Sequence, residues 1–150
     1  MRNWIYACLF AVGCASGGGS KPATPAAATT AAQKSLYERL GQKPAITAVV
    51  EEMLSRIAND QKINARFANA DLPHLKLMLV DQICQATGGP CKYAGKDMKT
   101  AHLGQKITDD EFGALVGDLK GALDKFKVPA AEQNELISAL GGMKGDIVGQ

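Results

Sequence analysis

Between residues 44 and 140 the apolar side chains return every three or four positions, with no convincing one-for-one alternation. That period belongs to the α-helix, whose 3.6 residues per turn gather such positions on one face. Residues 44–57 set Ile46, Val49, Val50, Met53, Leu54 and Ile57 on one stripe, behind a Pro44 that suits the first helical position, and Asn59-Asp60 breaks the pattern. Residues 73–86 carry Leu75, Met78, Leu79, Gln82 and Ile83 at helical spacing and stop at Gly88-Gly89-Pro90. Residues 109–126 open on a Thr108-x-x-Glu111 capping box and carry Phe112, Leu115, Val116, Leu119, Leu123 and Phe126. A last helix is expected to start near Pro129, to carry Leu136, Ile137 and Leu140, and to end at Gly141-Gly142. The predicted class is all-α, with four main helices and short connectors.

The start of the chain has none of this rhythm. After Arg2, residues 4–12 form an apolar run of nine. A membrane span needs roughly 20 such residues, so the run reads as the core of a signal peptide. Ala11-Val12-Gly13-Cys14, which closes the run, resembles a bacterial lipoprotein signal. Residues 1–14 are therefore expected to be a signal peptide cleaved before a lipidated Cys14. Residues 15–35, rich in Gly, Ala, Pro and Thr, are expected to be a flexible linker, and residues 36–150 the folded domain. The expected location is outside the cytoplasm of a bacterium, in the periplasm or as an outer-membrane lipoprotein, touching membrane through the lipid anchor alone.

The whole chain carries a net charge of +2, but Arg2, Lys21 and Lys34 all precede residue 36 and no acidic residue does. The body keeps 14 Lys and Arg against 15 Asp and Glu, with no basic run of five. Nucleic acid is excluded as a partner on that balance. The chain has no C-x-x-C, C-x-x-C-H, G-x-S-x-G, P-loop or H-E-x-x-H motif, so zinc-knuckle, covalent c-type haem, hydrolase and nucleotide readings lose their support. Two histidines remain, His74 and His102. His74 stands among Asp71 and Lys76 and is expected at the surface. His102 ends the short segment Met98-Lys99-Thr100-Ala101-His102, between Gly95 and Gly104. One neutral imidazole suffices as the protein ligand of a haem iron, because the porphyrin supplies four others.

The landmarks around His102 fall in a recognisable order. Leu36-Tyr37-Glu38-Arg39-Leu40-Gly41 opens the body, and Ala45-Ile46 and Val49-Val50 continue it. Then come Asn64-Ala65-Arg66-Phe67, Gly88-Gly89-Pro90, Tyr93-x-Gly95, Met98-x-x-x-His102, Ile107 and Phe112. In this order and spacing the body resembles a group I truncated haemoglobin, from residue 36 to about 145. The resemblance implies a truncated globin fold, a two-over-two helical sandwich, with non-covalent haem b held through His102. It also implies that Phe67, at the end of the second helix, lies against the haem face, and that Tyr93 and Met98 belong to the proximal segment.

On the distal side the resemblance implies a departure. Many members carry a Tyr where this chain has Leu54, and Gln where it has Leu75 or Leu79; those side chains donate a hydrogen bond to the bound gas. All three are Leu here, so O2 release is expected to be faster by roughly tenfold or more, at 1.4 kcal/mol per decade. Some members place an iron-ligating His at the position of Met78. A thioether also ligates haem iron, so Met78 is a candidate sixth ligand, the alternative being that it fills core space. Arg66, Lys76, Lys92 and Lys96 are plausible by charge and place as partners of the haem propionates.

Cys84 and Cys91 are seven apart and straddle the double glycine. In an exported protein that spacing suggests a disulfide; a redox-sensitive pair and two free thiols are the alternatives. The function expected is reversible binding of O2, NO or CO at haem iron. Electron transfer or redox sensing through Met78 is the first alternative and nitric oxide dioxygenation, with an unknown reductase, the second. An apolar distal side offers such an enzyme no acid or base.

Overall fold

Each of the four apolar stripes is a helix in the computed structural model, which describes residues 34–150. The expected signal peptide, lipidated Cys14 and nearly all of the linker lie outside the described residues. Seven α-helices follow one another: α1 (Leu36–Arg39), α2 (Gln42–Asn59), α3 (Asn64–Phe67), α4 (Leu72–Ala86), α5 (Met98–His102), α6 (Asp109–Lys125) and α7 (Ala130–Gly141). A single 3-10 turn, Lys144–Asp146, comes after them.

Helix starts are fixed by side chains that accept the unpaired N–H groups of the first turn. Ser35 with Glu38 and Thr108 with Glu111 form complete capping boxes for α1 and α6. Asp71 accepts the His74 N–H at 3.1 Å to start α4, and Asp97 accepts the Thr100 N–H at 2.9 Å to start α5. Pro44 is the third residue of α2 and not the first, because the chain enters that helix at Gln42. Its missing N–H still costs nothing, since first-turn donors have no partner inside the helix. α4 stops as expected before the double glycine. A Cβ on Gly89 would stand 2.6 Å from Cys84 Sγ, so only glycine passes there.

The apolar stripes close into two layers. α2 packs on α4 along one side and on α6 along another, and α7 packs on α6 and α1. Val50, Ile57, Cys84, Leu123 and Leu136 are the largest fully buried side chains, one or two from each long helix. The four aliphatic ones each contribute about 2 kcal/mol by leaving water. Ion pairs outside this core tie helices together, such as Arg39 of α1 to Glu132 of α7 at 3.0 Å.

Three short helices go beyond the four expected. Asn64–Phe67 is a separate turn, α3, and not the end of the second helix, since Asp60 takes an extended backbone after Asn59. Among the described residues there is no strand. One isolated parallel bridge joins Ile107 to Val148, with Lys106 N–H donating to the Gln150 carbonyl at 2.7 Å and Gly149 N–H to Ile107 at 2.9 Å. No helix of the described residues is long and apolar enough to cross a membrane.

Candidate functional site

The two layers do not meet everywhere. Between them lies a cavity of about 370 Å³, within the usual range of small-molecule and cofactor sites. Its wall is mostly apolar: Met53 from α2, Phe67 from α3, Leu75 and Leu79 from α4, Leu115 from α6 and Leu140 from α7. All four methionines of the described residues, Met53, Met78, Met98 and Met143, line it. So does His102, the last residue of α5.

His102 is half-buried, and its Nδ1 lies 2.8 Å from the carbonyl oxygen of Met98, one turn earlier on the same helix. A carbonyl only accepts, so Nδ1 carries the proton and donates. In the neutral ring Nε2 then keeps the lone pair, which is the tautomer a metal-ligating imidazole needs. Asp97 caps the N-terminus of α5, and the Thr100 side chain and backbone bonded to it hold its carboxylate below the ordinary aspartate range. His102 thus stands at the end of a one-turn helix whose start and ring orientation are both fixed by hydrogen bonds.

The loop before α5 packs on the end of α4. Tyr93 N–H donates to Gln85 Oε1 at 2.7 Å, and Tyr93 Oη donates to the Lys96 carbonyl at 2.8 Å. Burial, followed by the charge of Asp97, raises the Tyr93 phenol. A Cβ on Gly95 would collide with that phenol ring, which accounts for the Tyr93-x-Gly95 pair. Cys84 and Cys91 are joined in a disulfide, their Cα atoms 5.7 Å apart.

Of the eight residues that sequence placed around the site, Phe67, Leu75, Met78, Leu79, Tyr93, Met98 and His102 surround this cavity. Leu54 does not line it. It lines a second pocket with Ala58, Ala65 and Leu72, which shares only the walls of Ile57 and Phe67 with the first. The reason is helical phase: successive residues stand about 100° apart, so the Met53 and Ile57 that face the cavity leave Leu54 on the flank. His74 is exposed, as expected from its neighbours.

Arg66 alone of the four propionate candidates reaches the cavity wall, and its guanidinium is already engaged. Nε and Nη2 donate to the two oxygens of Glu111 at 2.7 and 3.0 Å, and Nη1 donates to the Gln105 carbonyl at 2.8 Å. That pairing, with the Thr108 N–H behind it, holds the Glu111 carboxyl down at about 2. Lys76 pairs instead with Glu51 at 3.0 Å.

Gln82 and Met143 line the cavity without a role assigned from sequence. Gln82 sits on the apolar stripe of α4, and its Nε2 lies 3.1 Å from Met98 Sδ and 3.5 Å from Met143 Sδ. A polar residue on an otherwise apolar face was the signal for it. Met143 had no signal, since it follows the glycine pair that ends α7.

A sandwich of two helix pairs, α2 with α4 and α6 with α7, around an apolar cavity holding one imidazole, defines the small two-over-two globins. The chain belongs to the bacterial-like globin family, whose model matches residues 35–148. It is 33% identical over 113 residues to the Group 1 truncated hemoglobin GlbN of Mycolicibacterium paratuberculosis, covering 75% of this chain and 83% of that one. It is 32% identical over 113 residues to the Group 1 truncated hemoglobin GlbN of a Nostoc species, covering 75% and 96%. Among solved structures it resembles the truncated hemoglobin of Tetrahymena pyriformis in its Fe(III) form, with TM-score 0.76, 28% identity and coverage of 78% and 100%. A Synechococcus 2/2 hemoglobin with covalently attached heme is also similar, with TM-score 0.73, 27% identity and coverage of 77% and 98%.

The residues present fit haem. Among the described residues no three His, Cys, Asp or Glu side chains gather as a metal cluster. A single neutral imidazole against an apolar slot is instead the donor set of an iron that brings its own macrocycle.

Proposed function

We propose that this chain is a haem-binding globin that reversibly takes up O2 or another diatomic gas, with His102 as the protein ligand of the iron. The observation that carries the role of His102 is its place on the cavity wall with Nδ1 bonded to the Met98 carbonyl, which leaves Nε2 as the ring nitrogen available to a metal. Haem, when bound, supplies an iron centre able to hold a small gas. The chain's own part is to bind the macrocycle between apolar walls, to orient one imidazole and to exclude water. Leu75, Met78 and Leu79 offer a gas no hydrogen-bond donor, which favours rapid exchange over tight storage and offers no acid or base for dioxygenation.

The test is the absorption spectrum of the purified protein in its ferric, ferrous and ferrous-CO states, compared with His102→Gly. Wild type should show the spectrum of imidazole-ligated haem; the variant should lose it and regain it on adding free imidazole. A variant indistinguishable from wild type overturns the assignment. A second reading, electron transfer or redox sensing with Met78 Sδ as a further iron ligand, is favoured by the place of Met78 on the cavity wall. An unchanged spin state in Met78→Ala would remove that reading.

The run at residues 4–12 and the Gly13-Cys14 that follows support a further part of the proposal, that the globin is exported and tethered through a lipid on Cys14. Mass spectrometry of the mature N-terminus checks it, with an unmodified Cys14 as the contrary result.

A further inference from the structure

The segment that delivers His102 hangs from the end of α4 by three ties, and one of them is covalent. Cys84 is bonded to Cys91. Gln85 Oε1 accepts the Tyr93 N–H at 2.7 Å. Gln82 Nε2 reaches Met98 Sδ at 3.1 Å, a weak acceptor on the residue whose carbonyl also orients the imidazole. Gln82, Cys84 and Gln85 all lie within the last five residues of α4, and Gln82 and Tyr93 line the cavity. The two ends of the disulfide are unequal: Cys84 is fully buried beneath Gly89, and Cys91 is half-buried on the loop.

We propose that the Cys84–Cys91 disulfide is a positioning element for His102, and that its reduction by a dithiol loosens the chain's hold on haem. This rests on the haem reading of the cavity. A thiolate of the dithiol attacks Cys91 Sγ, the more exposed sulfur, and the Cys84–Cys91 bond breaks with Cys84 leaving as thiolate. The dithiol's second sulfur then displaces Cys91, so the reagent ends as its own disulfide while the two cysteines take up two electrons and two protons. The loop from 91 to 97 then keeps to α4 only through hydrogen bonds, and α5 loses its fixed distance from the opposite wall. Groups that orient a metal's ligand are worth about 10–100-fold in affinity, so the smaller end of that range is the effect expected here. Linkage makes it reciprocal: what the disulfide does for haem, haem does for the disulfide.

The test uses the haem-loaded full chain in three forms: disulfide intact, reduced with dithiothreitol, and Cys84→Ser/Cys91→Ser. Haem transfer to excess apomyoglobin should be about tenfold faster in the second and third forms, and dithiothreitol should not change the third. The iron–imidazole stretching band of the ferrous protein should shift between the intact and reduced forms. In dithiothreitol buffers the thiol–disulfide equilibrium should lie tenfold further toward the disulfide with haem than without, about 30 mV. If the reduced forms lose their helical circular dichroism, the disulfide holds the fold as a whole and not the ring of His102, and the proposal is overturned. A chain that takes up haem and releases it at one rate in every form overturns this inference alone. A chain that takes up no haem overturns the reading of the cavity and this inference with it.

Discussion

The long helices and the stretch of residues 88–108 are held by different forces. Each of the four long helices contributes side chains that are wholly buried, such as Val50, Ile57, Cys84, Leu123 and Leu136. No residue of the stretch from 88 to 108 is buried to that degree: Met98, Ala101 and Ile107 face the cavity, and Leu103 is exposed to solvent. Its path is set by discrete ties instead: one disulfide, the hydrogen bonds of Tyr93, the Asp97 cap and the strand-like bridge from Ile107 to Val148. The difference teaches where each kind of change will be felt. Damage to the helices should cost global stability, and damage to the stretch should cost the geometry at His102.

Four changes probe that division, from the largest expected effect to the smallest. Leu123→Ala removes a fully buried side chain of α6 and should cost about 3 kcal/mol of unfolding free energy, read by urea denaturation. Cys84→Ser/Cys91→Ser frees a short loop and should cost about 2.5 kcal/mol by the loop-entropy relation, with most of the native helical circular dichroism retained at 25 °C. A larger loss there than for Leu123→Ala would show that the disulfide belongs to the global core. Leu79→Gln adds a donor to the cavity wall and should slow O2 release about tenfold, near 1.4 kcal/mol, in stopped-flow measurements, leaving stability nearly unchanged.

The smallest effect is a pH dependence. Glu111 is held at about 2 in the folded chain, by Arg66 first and the Thr108 N–H second, against an ordinary value of 4.5. A depressed carboxyl contributes stability that is fully present above 4.5 and is lost as pH falls toward 2. Thermal melts of wild type should therefore fall between pH 4.5 and 2 more steeply than those of Glu111→Gln. Equal slopes would leave the Arg66 pair without energetic weight, as many exposed pairs are.

The long helices were legible because a period of 3.6 repeats over 12 to 18 residues leaves an unmistakable stripe. Helices α1, α3 and α5 have four or five residues, too few for any period to show. Their existence depends on caps and on neighbours. His102 was still found, because Tyr93, Gly95 and Met98 mark its register. Leu54 stands on the second pocket because the stripe of α2 is wide: it serves the core and two pockets, and sequence spacing alone does not divide one face among three neighbours. Gln82 was visible as an oddity, yet its partners Met98 and Met143 stand 16 and 61 residues away. Contacts at that separation are settled by the fold.

The four methionines give the cavity a built-in set of reporters. Met53, Met78, Met98 and Met143 stand on four different parts of the wall: α2, α4, α5 and the turn after α7. Their methyl groups are sharp, well-resolved nuclear resonance probes when labelled with carbon-13. Every such signal from the described domain therefore comes from the cavity, with none spent elsewhere. An aromatic macrocycle sliding between the layers would displace all four by its ring current, and a ligand that merely touched the outside would displace none.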